Sequence, residues 1–507
     1  MSDGTEVRAR AHRLAAVHEP GSVLSDLVAG REVADIVRRR GMPLSRVLGT
    51  RSFYDMLLSD PLARIVCDGT ACWAARGGRG AAGGVSAHCL GRCYEAPAQL
   101  AEARPGGSPR AALGAERHGI PATSLVESPI VFRYLFGERP DLKRLYALPS
   151  QDEVLARIEV SGLRGRGGAA YPTAAKWRAA RLAVGAPKYV VANGDEGDPG
   201  SYVDRLLLER EPHAVLAGMH ACAHAIGATR GIVFVRGEYP LAAERVRDAI
   251  EEAREAGVGV AGFEIEVHIG AGSYVCGEET ALLRAIEGLR AEASPKPPYP
   301  AEAGLFGRPT VVQNVETLSV IPWVLETVLK PTTKAFSLSG ALMAPGAVEA
   351  PFGMSLRELL EAGGGGAPKG RPWTMALVGG PMGTVIAEHE FDVALDPATM
   401  PGLGHGGVVV FDASIGPRAL AEHLFAFAAS ESCGACAPCR LGTRMLARVG
   451  DEAGLRRLLD TIEMGSLCGF GQALPRPIRD LMRLFPGEVA AGDVARESQA
   501  RGAGGDS

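Results

Sequence analysis

The sequence predicts a multidomain α/β protein, and three observations carry that expectation. The chain has 507 residues, enough for three to four domains at roughly 150 residues each. From about residue 150, helical and strand-like segments alternate in the order that builds a parallel sheet with right-handed crossovers. Eight of ten cysteines fall into two groups of four with ligand-like spacing, one on either side of that alternating region.

Taken in order, residues 22–58 read as helical, with Val23, Leu24, Leu27, Val28, Val33 and Ile36 at three- and four-residue steps. Gly41-Met-Pro breaks that pattern. Cys67, Cys72, Cys89 and Cys93 follow, so residues 1–100 form a first unit. Pro105, Gly106, Gly107 and Pro109 mark residues 101–148 as a linker. Residues 149–330 are the α/β unit. Its helices are expected at 151–160, 210–227 and 240–256, and its strands at 188–193, 231–236 and 263–269. Short strands and one helix (356–362) make 335–412 a small α+β domain. A helical unit over 417–490 carries the second cysteine group, and the Gly-rich end, 491–507, reads as a disordered tail.

Composition narrows the function. Hydrophobic residues at 46% and charged residues at 22% suit a globular protein. A net charge of −4 gives no electrostatic footprint for nucleic acid. No run of 18 apolar residues occurs, so no membrane insertion is expected. The first residues, Met1-Ser-Asp-Gly-Thr-Glu-Val-Arg, lack an apolar h-region, which places the chain in the cytoplasm. In a reducing compartment clustered thiols read as metal ligands rather than disulfides.

Cys433-Gly-Ala-Cys436-Ala-Pro-Cys439 with Cys468 beyond it is the strongest single signal. Three thiols at i, i+3 and i+6 plus a distant fourth suit a 4Fe–4S cube. Structural zinc, with its paired knuckles, and unliganded buried thiols are the alternatives. Gly165-Arg-Gly167-Gly168-Ala-Ala170 has the form G-x-G-x-x-A, but a helix precedes it where the dinucleotide fingerprint needs a strand. What remains is bare backbone able to approach a ring or phosphate, with Lys176 nearby. Asn193, Asp195, Glu196 and Asp198 crowd one strand end, and Glu278 and Glu279 follow Gly277 at a helix start. Carboxylates there either cap the helix or accept hydrogen bonds from hydroxyls and a heterocycle N–H. Lys296-Pro-Pro-Tyr299-Pro is a stiff loop offering a cation and a ring, and Tyr171 offers a second ring.

Five motifs in order, Gly162–Trp177, Asn193–Gly200, Gly270–Thr280, Lys296–Pro300 and Asn314–Thr317, resemble the NADH-oxidising FMN/iron–sulfur flavoproteins. That family includes the NADH-binding subunit of complex I, the formate dehydrogenase β subunit and the hydrogenase diaphorase subunit. The resemblance implies a Rossmann-like FMN- and NAD-binding domain (149–330), a ubiquitin-like domain (335–412) and a helical 4Fe–4S domain. It assigns FMN to Gly165, Gly167, Lys176, Asn193, Asp195, Gly277, Glu278, Asn314 and Thr317. NAD falls to Tyr171, Asp198, Glu279, Lys296 and Tyr299, and the 4Fe–4S cluster to Cys433, Cys436, Cys439 and Cys468. Tyr171 and Tyr299 stand where the family commonly has Phe, Asp198 where Glu is frequent, Ala170 where Gly is, and Gln313 at the first of an Asn pair.

Arg51–Tyr54, Cys67–Cys72 and Cys89–Pro97 resemble the family's thioredoxin-like 2Fe–2S partner, fused ahead of the flavoprotein. This assigns 2Fe–2S ligands to Cys67, Cys72, Cys89 and Cys93. Only 16 residues separate Cys72 from Cys89, so the domain is truncated, and thiols kept without a cluster are the alternative. The implied activity is NAD(H) oxidoreduction: hydride exchanged with FMN and single electrons passed through the cluster. No side-chain nucleophile is required; Asp198 and Glu279 are positioning residues. The acids near the ribose favour NAD over NADP. The electrons imply partner proteins. A molybdopterin formate dehydrogenase α subunit is preferred, then hydrogenase subunits, then complex I. A non-redox zinc scaffold is the alternative of another class.

Overall fold

The computed structural model describes residues 23–28, 30–54, 65–82, 85–98, 119–136 and 139–489. The expected tail, 491–507, and residues 101–118 of the expected linker lie outside them. Three short helices, Val23–Val28, Val33–Arg40 and Leu44–Arg51, occupy the first helical stretch, the second ending at Gly41 with φ 59°. Strands β1 (Ile65–Cys67) and β2 (Val85–Ala87) run parallel with helix Thr70–Ala75 between them. A six-residue helix is how so short a crossover is closed.

The linker expectation needs correction. Strand β3 (Ala122–Ser124) pairs in parallel with a strand more than 200 residues away, Ala122 against Ala347. Just after it, the amides of Ile130, Val131 and Phe132 all donate to the buried Glu349 carboxylate, at 2.7, 2.9 and 2.7 Å. Their side chains are buried as well, so this segment is part of a folded core. Proline and glycine upstream disguised it.

The α/β unit holds four parallel strands, β4 (Tyr189–Gly194), β5 (Arg230–Val235), β6 (Glu264–Ile269) and β7 (Thr310–Asn314), in the order β6-β5-β4-β7. The sequence reading found the first three and missed β7. Val190, Val191 and Ala192 are buried on both faces, the continuous apolar run of a covered parallel strand. Helix Pro212–Ile226 crosses one face, with proline at its first turn. Gly218 lets helix Val315–Thr327 come close: a Cβ there would sit 2.1 Å from the Leu318 carbonyl oxygen.

Strands β8 (Thr333–Gly340), β9 (Gly346–Pro351), β10 (Trp373–Val378), β11 (Thr384–Ala387) and β12 (Gly407–Asp412) join β3 in a mixed six-stranded sheet, order β11-β10-β12-β8-β9-β3. Helices Pro417–Glu431, Ala437–Met445, Glu452–Gly465, Gly469–Ala473 and Pro475–Leu484 follow among the described residues. Among the described residues no helix is long and apolar enough to cross a membrane.

Candidate functional site

Ligands on parallel sheets sit beyond the carboxyl ends of the strands. Here Asn193 is the penultimate residue of β4 and Asn314 ends β7, and the two are register partners. Asn314 caps the following helix, its Oδ1 accepting from the Thr317 amide at 3.1 Å. Thr317 Oγ1 in turn accepts from the Arg166 amide at 2.8 Å, which fixes the glycine loop. A Cβ on Gly167 would lie 2.9 Å from the Asn314 Cβ, so only glycine fits that approach. The Gly165 amide donates to the Tyr171 carbonyl at 2.9 Å. Gly165, Gly167, Asn314 and Thr317 are thus brought together.

Asn193 Nδ2 donates to the Gly277 carbonyl at 2.9 Å, and its Oδ1 accepts from the Asp195 amide at 3.1 Å. Glu278 does cap helix Glu279–Ile286, through the amides of Thr280 and Ala281, and it also accepts from Lys296 Nζ at 3.0 Å. Glu279 takes Lys296 Nζ at 2.7 Å and Lys176 Nζ at 3.2 Å. Burial alone would raise the Glu279 carboxyl, but the two ammonium groups outweigh it and hold it below the usual range. Lys176, Glu278, Glu279 and Lys296 therefore form one ionic cluster. Tyr171 and Tyr299 are each 55% exposed, free faces for a planar ligand. Asp198 takes a different partner, the Tyr274 hydroxyl at 2.7 Å.

The residues present fit a flavin. Burial pushes the Asp195 carboxyl well up, and its Oδ2 has no partner among the described residues. Gln313 Oε1 is likewise buried and unpartnered, so this departure from the family pattern still presents an acceptor. Two orphan acceptors beside bare glycine backbone suit the N–H and O–H donors of a flavin ring and ribityl chain.

Sequence reading missed the ionic layer behind this pocket. Arg166 Nη1 meets Glu316 Oε1 at 2.9 Å and Lys334 Nζ meets Glu316 Oε2 at 2.8 Å, all three buried. Next to them His405 Nε2 lies 3.0 Å from Asp204 Oδ2 and 3.3 Å from Asn314 Nδ2, and His405 Nδ1 faces Glu196 Oε1 at 3.5 Å. Glu196 also accepts from the amides of Asp204 and Arg205, both at 3.0 Å. Candidate ligand atoms of Glu196, Asp204 and His405 lie within 4.8 Å of one another. An imidazolium supplies the positive charge there: burial pulls His405 down, but Asp204 and Glu196 overcome it and raise it to about 9. Charged residues interrupting an apolar run, Glu316 above all, were the one visible signal.

A pH dependence follows from the sign of that shift. An imidazole raised from about 6.5 binds its proton more tightly in the folded chain. Its stabilisation is complete below about 6.5 and lost as pH rises through about 9. Burial raises Glu196 to about 8, which works in the same direction. Thermal midpoints recorded from pH 6 to 10 should fall on the alkaline side, and His405→Gln should flatten the decline by about 3 kcal/mol at most.

The N-terminal thiols converge despite the short crossover. Cys67, Cys72, Cys89 and Cys93 are all buried, Cys89 and Cys93 have sulfurs 3.9 Å apart, and the Cys67 thiol interacts with both Cys72 and Cys89. The amides of Gly91 and Ala98 donate to Cys89 and Cys72 sulfur, both at 3.3 Å. Arg236 ties this nest to the flavin-side loop, with Nη2 on the Cys89 carbonyl at 3.0 Å and Nη1 on the Glu196 carbonyl at 2.6 Å. The donor set fits a four-thiolate cluster.

Cys433, Cys436, Cys439 and Cys468 line a single pocket walled by Val275, Leu467 and Phe470. Cys433 and Cys439 are buried, while Cys436 and Cys468 are half-buried. Burial pushes the thiols of Cys439 and Cys468 up, to about 12 and about 11. Such thiols ionise only against a bound cation, as cluster ligands do. Tyr274 spans the two sites: its ring packs on Phe470 at 5.6 Å while its hydroxyl holds Asp198.

Residues 158–323 match the Nuo51 FMN-binding domain, and residues 419–492 match the iron–sulfur binding region of NADH-ubiquinone oxidoreductase-F. The HndC subunit of the NADP-reducing hydrogenase of Solidesulfovibrio fructosivorans is 41% identical over 371 residues, covering 67% of this chain and 76% of that protein. An F-type subunit of the NADH-quinone oxidoreductase of Rhizobium meliloti is 40% identical over 372 residues, covering 67% and 88%. A chain of the NAD+-reducing [NiFe]-hydrogenase, solved in its H2-reduced state, superposes with TM-score 0.77 at 27% identity over 96% of this chain and 97% of its own. With those matches lying over the glycine loop, the acidic strand end and the four C-terminal thiols, the chain belongs to the NADH-quinone oxidoreductase F family of FMN- and 4Fe–4S-binding oxidoreductase subunits.

Proposed function

We propose that this chain is the diaphorase subunit of a larger redox complex, exchanging hydride with NAD(H) and single electrons with partner subunits. FMN, when bound, supplies the change from two-electron to one-electron chemistry. The chain supplies position and charge. Asn314, Thr317, Asn193 and Gly277 would hold the flavin, and Lys176, Glu279 and Lys296 would set the edge where the dinucleotide enters. The observation that carries the reading is the common placement of three features: the glycine loop held against Asn314 and Thr317, the Glu279 cluster, and a four-thiol pocket reached through Tyr274.

The experiment is Glu279→Gln. It should raise the KM for NADH about tenfold, roughly 1.4 kcal/mol of binding, with the FMN content unchanged. Equal loss of flavin would contradict the division between the two sets of residues.

For the terminal partner, the Asn193–Pro199 and Ser466–Gln472 motifs and the fused N-terminal module support the β subunit of an NAD-dependent molybdenum or tungsten formate dehydrogenase. The likeness to a hydrogenase chain over nearly the whole length favours a hydrogenase as the second reading. Metal analysis of the complex that copurifies separates them: molybdenum or tungsten for the first, nickel for the second. In either complex the N-terminal thiols would hold a 2Fe–2S cluster.

A further inference from the structure

Helix Ala437–Met445 carries cluster ligands at its start and an unusual surface along its length. Arg440 and Arg444 on this helix and Arg448 on the 3-10 turn that continues it (Leu446–Arg448) are exposed, spaced at i, i+4 and i+8, and among the described residues none has a carboxylate within ion-pair distance. Four other arginines of the same helical domain are paired: Arg456 with Glu452, Arg479 with Asp460 and Glu463, Arg418 with Glu422, Arg483 with Glu390. Like charges at i and i+4 repel, so the stripe destabilises the isolated helix. The helix dipole offsets this for Arg444 in the last turn but not for Arg440 in the middle.

Beside the arginines lie apolar side chains that water does not favour. Leu441 is 55% exposed, Met445 51% and Met464 86%. Met464 belongs to the neighbouring helix, and the two helices are in close contact there: a Cβ on Gly465 would come 2.7 Å from Pro438 Cγ. The half-buried ligands Cys436 and Cys468 open at this same end. An apolar centre, a cationic border and the exposed edge of the cluster thus share one face.

We propose that this face docks a one-electron carrier protein whose own docking surface is carboxylate-rich around an apolar centre. The inference rests on the diaphorase reading above and adds to it the partner's charge and its seat. An anionic partner neutralises the repelling arginines, and their field steers its approach. Both effects weaken as salt screens them.

The test uses the purified holoprotein, without oxygen, and two haem proteins as probes: native cytochrome c, which is basic, and succinylated cytochrome c, which is acidic. At low ionic strength the oxidised chain should bind the acidic probe in a calorimetric titration and should reduce it with NADH. Both should weaken as salt is added. Arg440→Glu, Arg444→Glu and Arg448→Glu together should cut binding and reduction of the acidic probe at least tenfold, whereas lysine at all three positions should retain them. NADH oxidation by menadione, a neutral quinone, should not change in either variant. If the glutamate variant handles the acidic probe like the unaltered chain, or if the basic probe is the one preferred at low salt, the docking proposal is overturned. If the unaltered chain with FMN bound does not oxidise NADH with menadione, the diaphorase reading fails and this inference falls with it.

Discussion

Alanine at Cys439 is expected to remove about four irons per chain, the content of one 4Fe–4S cube, while leaving the flavin in place. The thiol is buried in the C-terminal pocket, with Ser432 Oγ 3.2 Å from its sulfur, and no other cysteine lies within reach to replace it except the three that already line the site. Reduction of one-electron protein acceptors by NADH should fall to background. Menadione reduction should persist, because the Glu279 cluster and the glycine loop are untouched. Cys89→Ala makes the matching measurement at the N-terminal nest. It should remove about two irons, and an unaltered total of about four in both proteins would show that this nest holds none.

Glutamine at Glu316 should have the largest effect on stability. The Glu316 carboxylate is fully buried, with Arg166 on one oxygen and Lys334 on the other. Removing its charge leaves two cations without their counter-ion in the interior, which typically costs about 3–5 kcal/mol. The thermal midpoint should drop accordingly. Since Arg166 also fixes the glycine loop through Thr317, the variant should lose FMN on gel filtration. Replacing Glu316 by leucine and Lys334 by methionine together should cost less than the two single changes added, because Lys334 is then no longer left without its counter-ion, and only Arg166 is. A double cost equal to the sum would mean that the pair does not interact.

Much of this site was legible in the sequence because its chemistry repeats at short range. Cys433, Cys436 and Cys439 announce themselves by spacing, and Gly165, Gly167, Asp195 and Glu279 sit in local runs of unusual composition. The sheet was legible because covered parallel strands are continuous apolar runs. What stayed hidden depends on distant pairing. His405 meets Asp204 across 201 positions, and Arg166 meets Glu316 across 150, so no window of sequence holds both partners. Strand β7 escaped because Thr310–Asn314 passes straight into a helix without a turn signal. The truncated N-terminal module shows the converse. Counting residues between Cys72 and Cys89 suggested too little chain, yet a short helix brings all four thiols together.

Strand β3 gives the chain an order in time. It emerges from the ribosome 225 residues before Ala347, its register partner (347 − 122). At about 5–20 residues per second that is roughly 10–45 s of synthesis. Through that interval the edge of β3 has no neighbour, and the amides of Ile130, Val131 and Phe132 lack the Glu349 carboxylate that later satisfies them. The whole flavin- and nucleotide-binding unit, residues 149–330, is made meanwhile. The six-stranded sheet can therefore close only after the whole α/β unit has been synthesised.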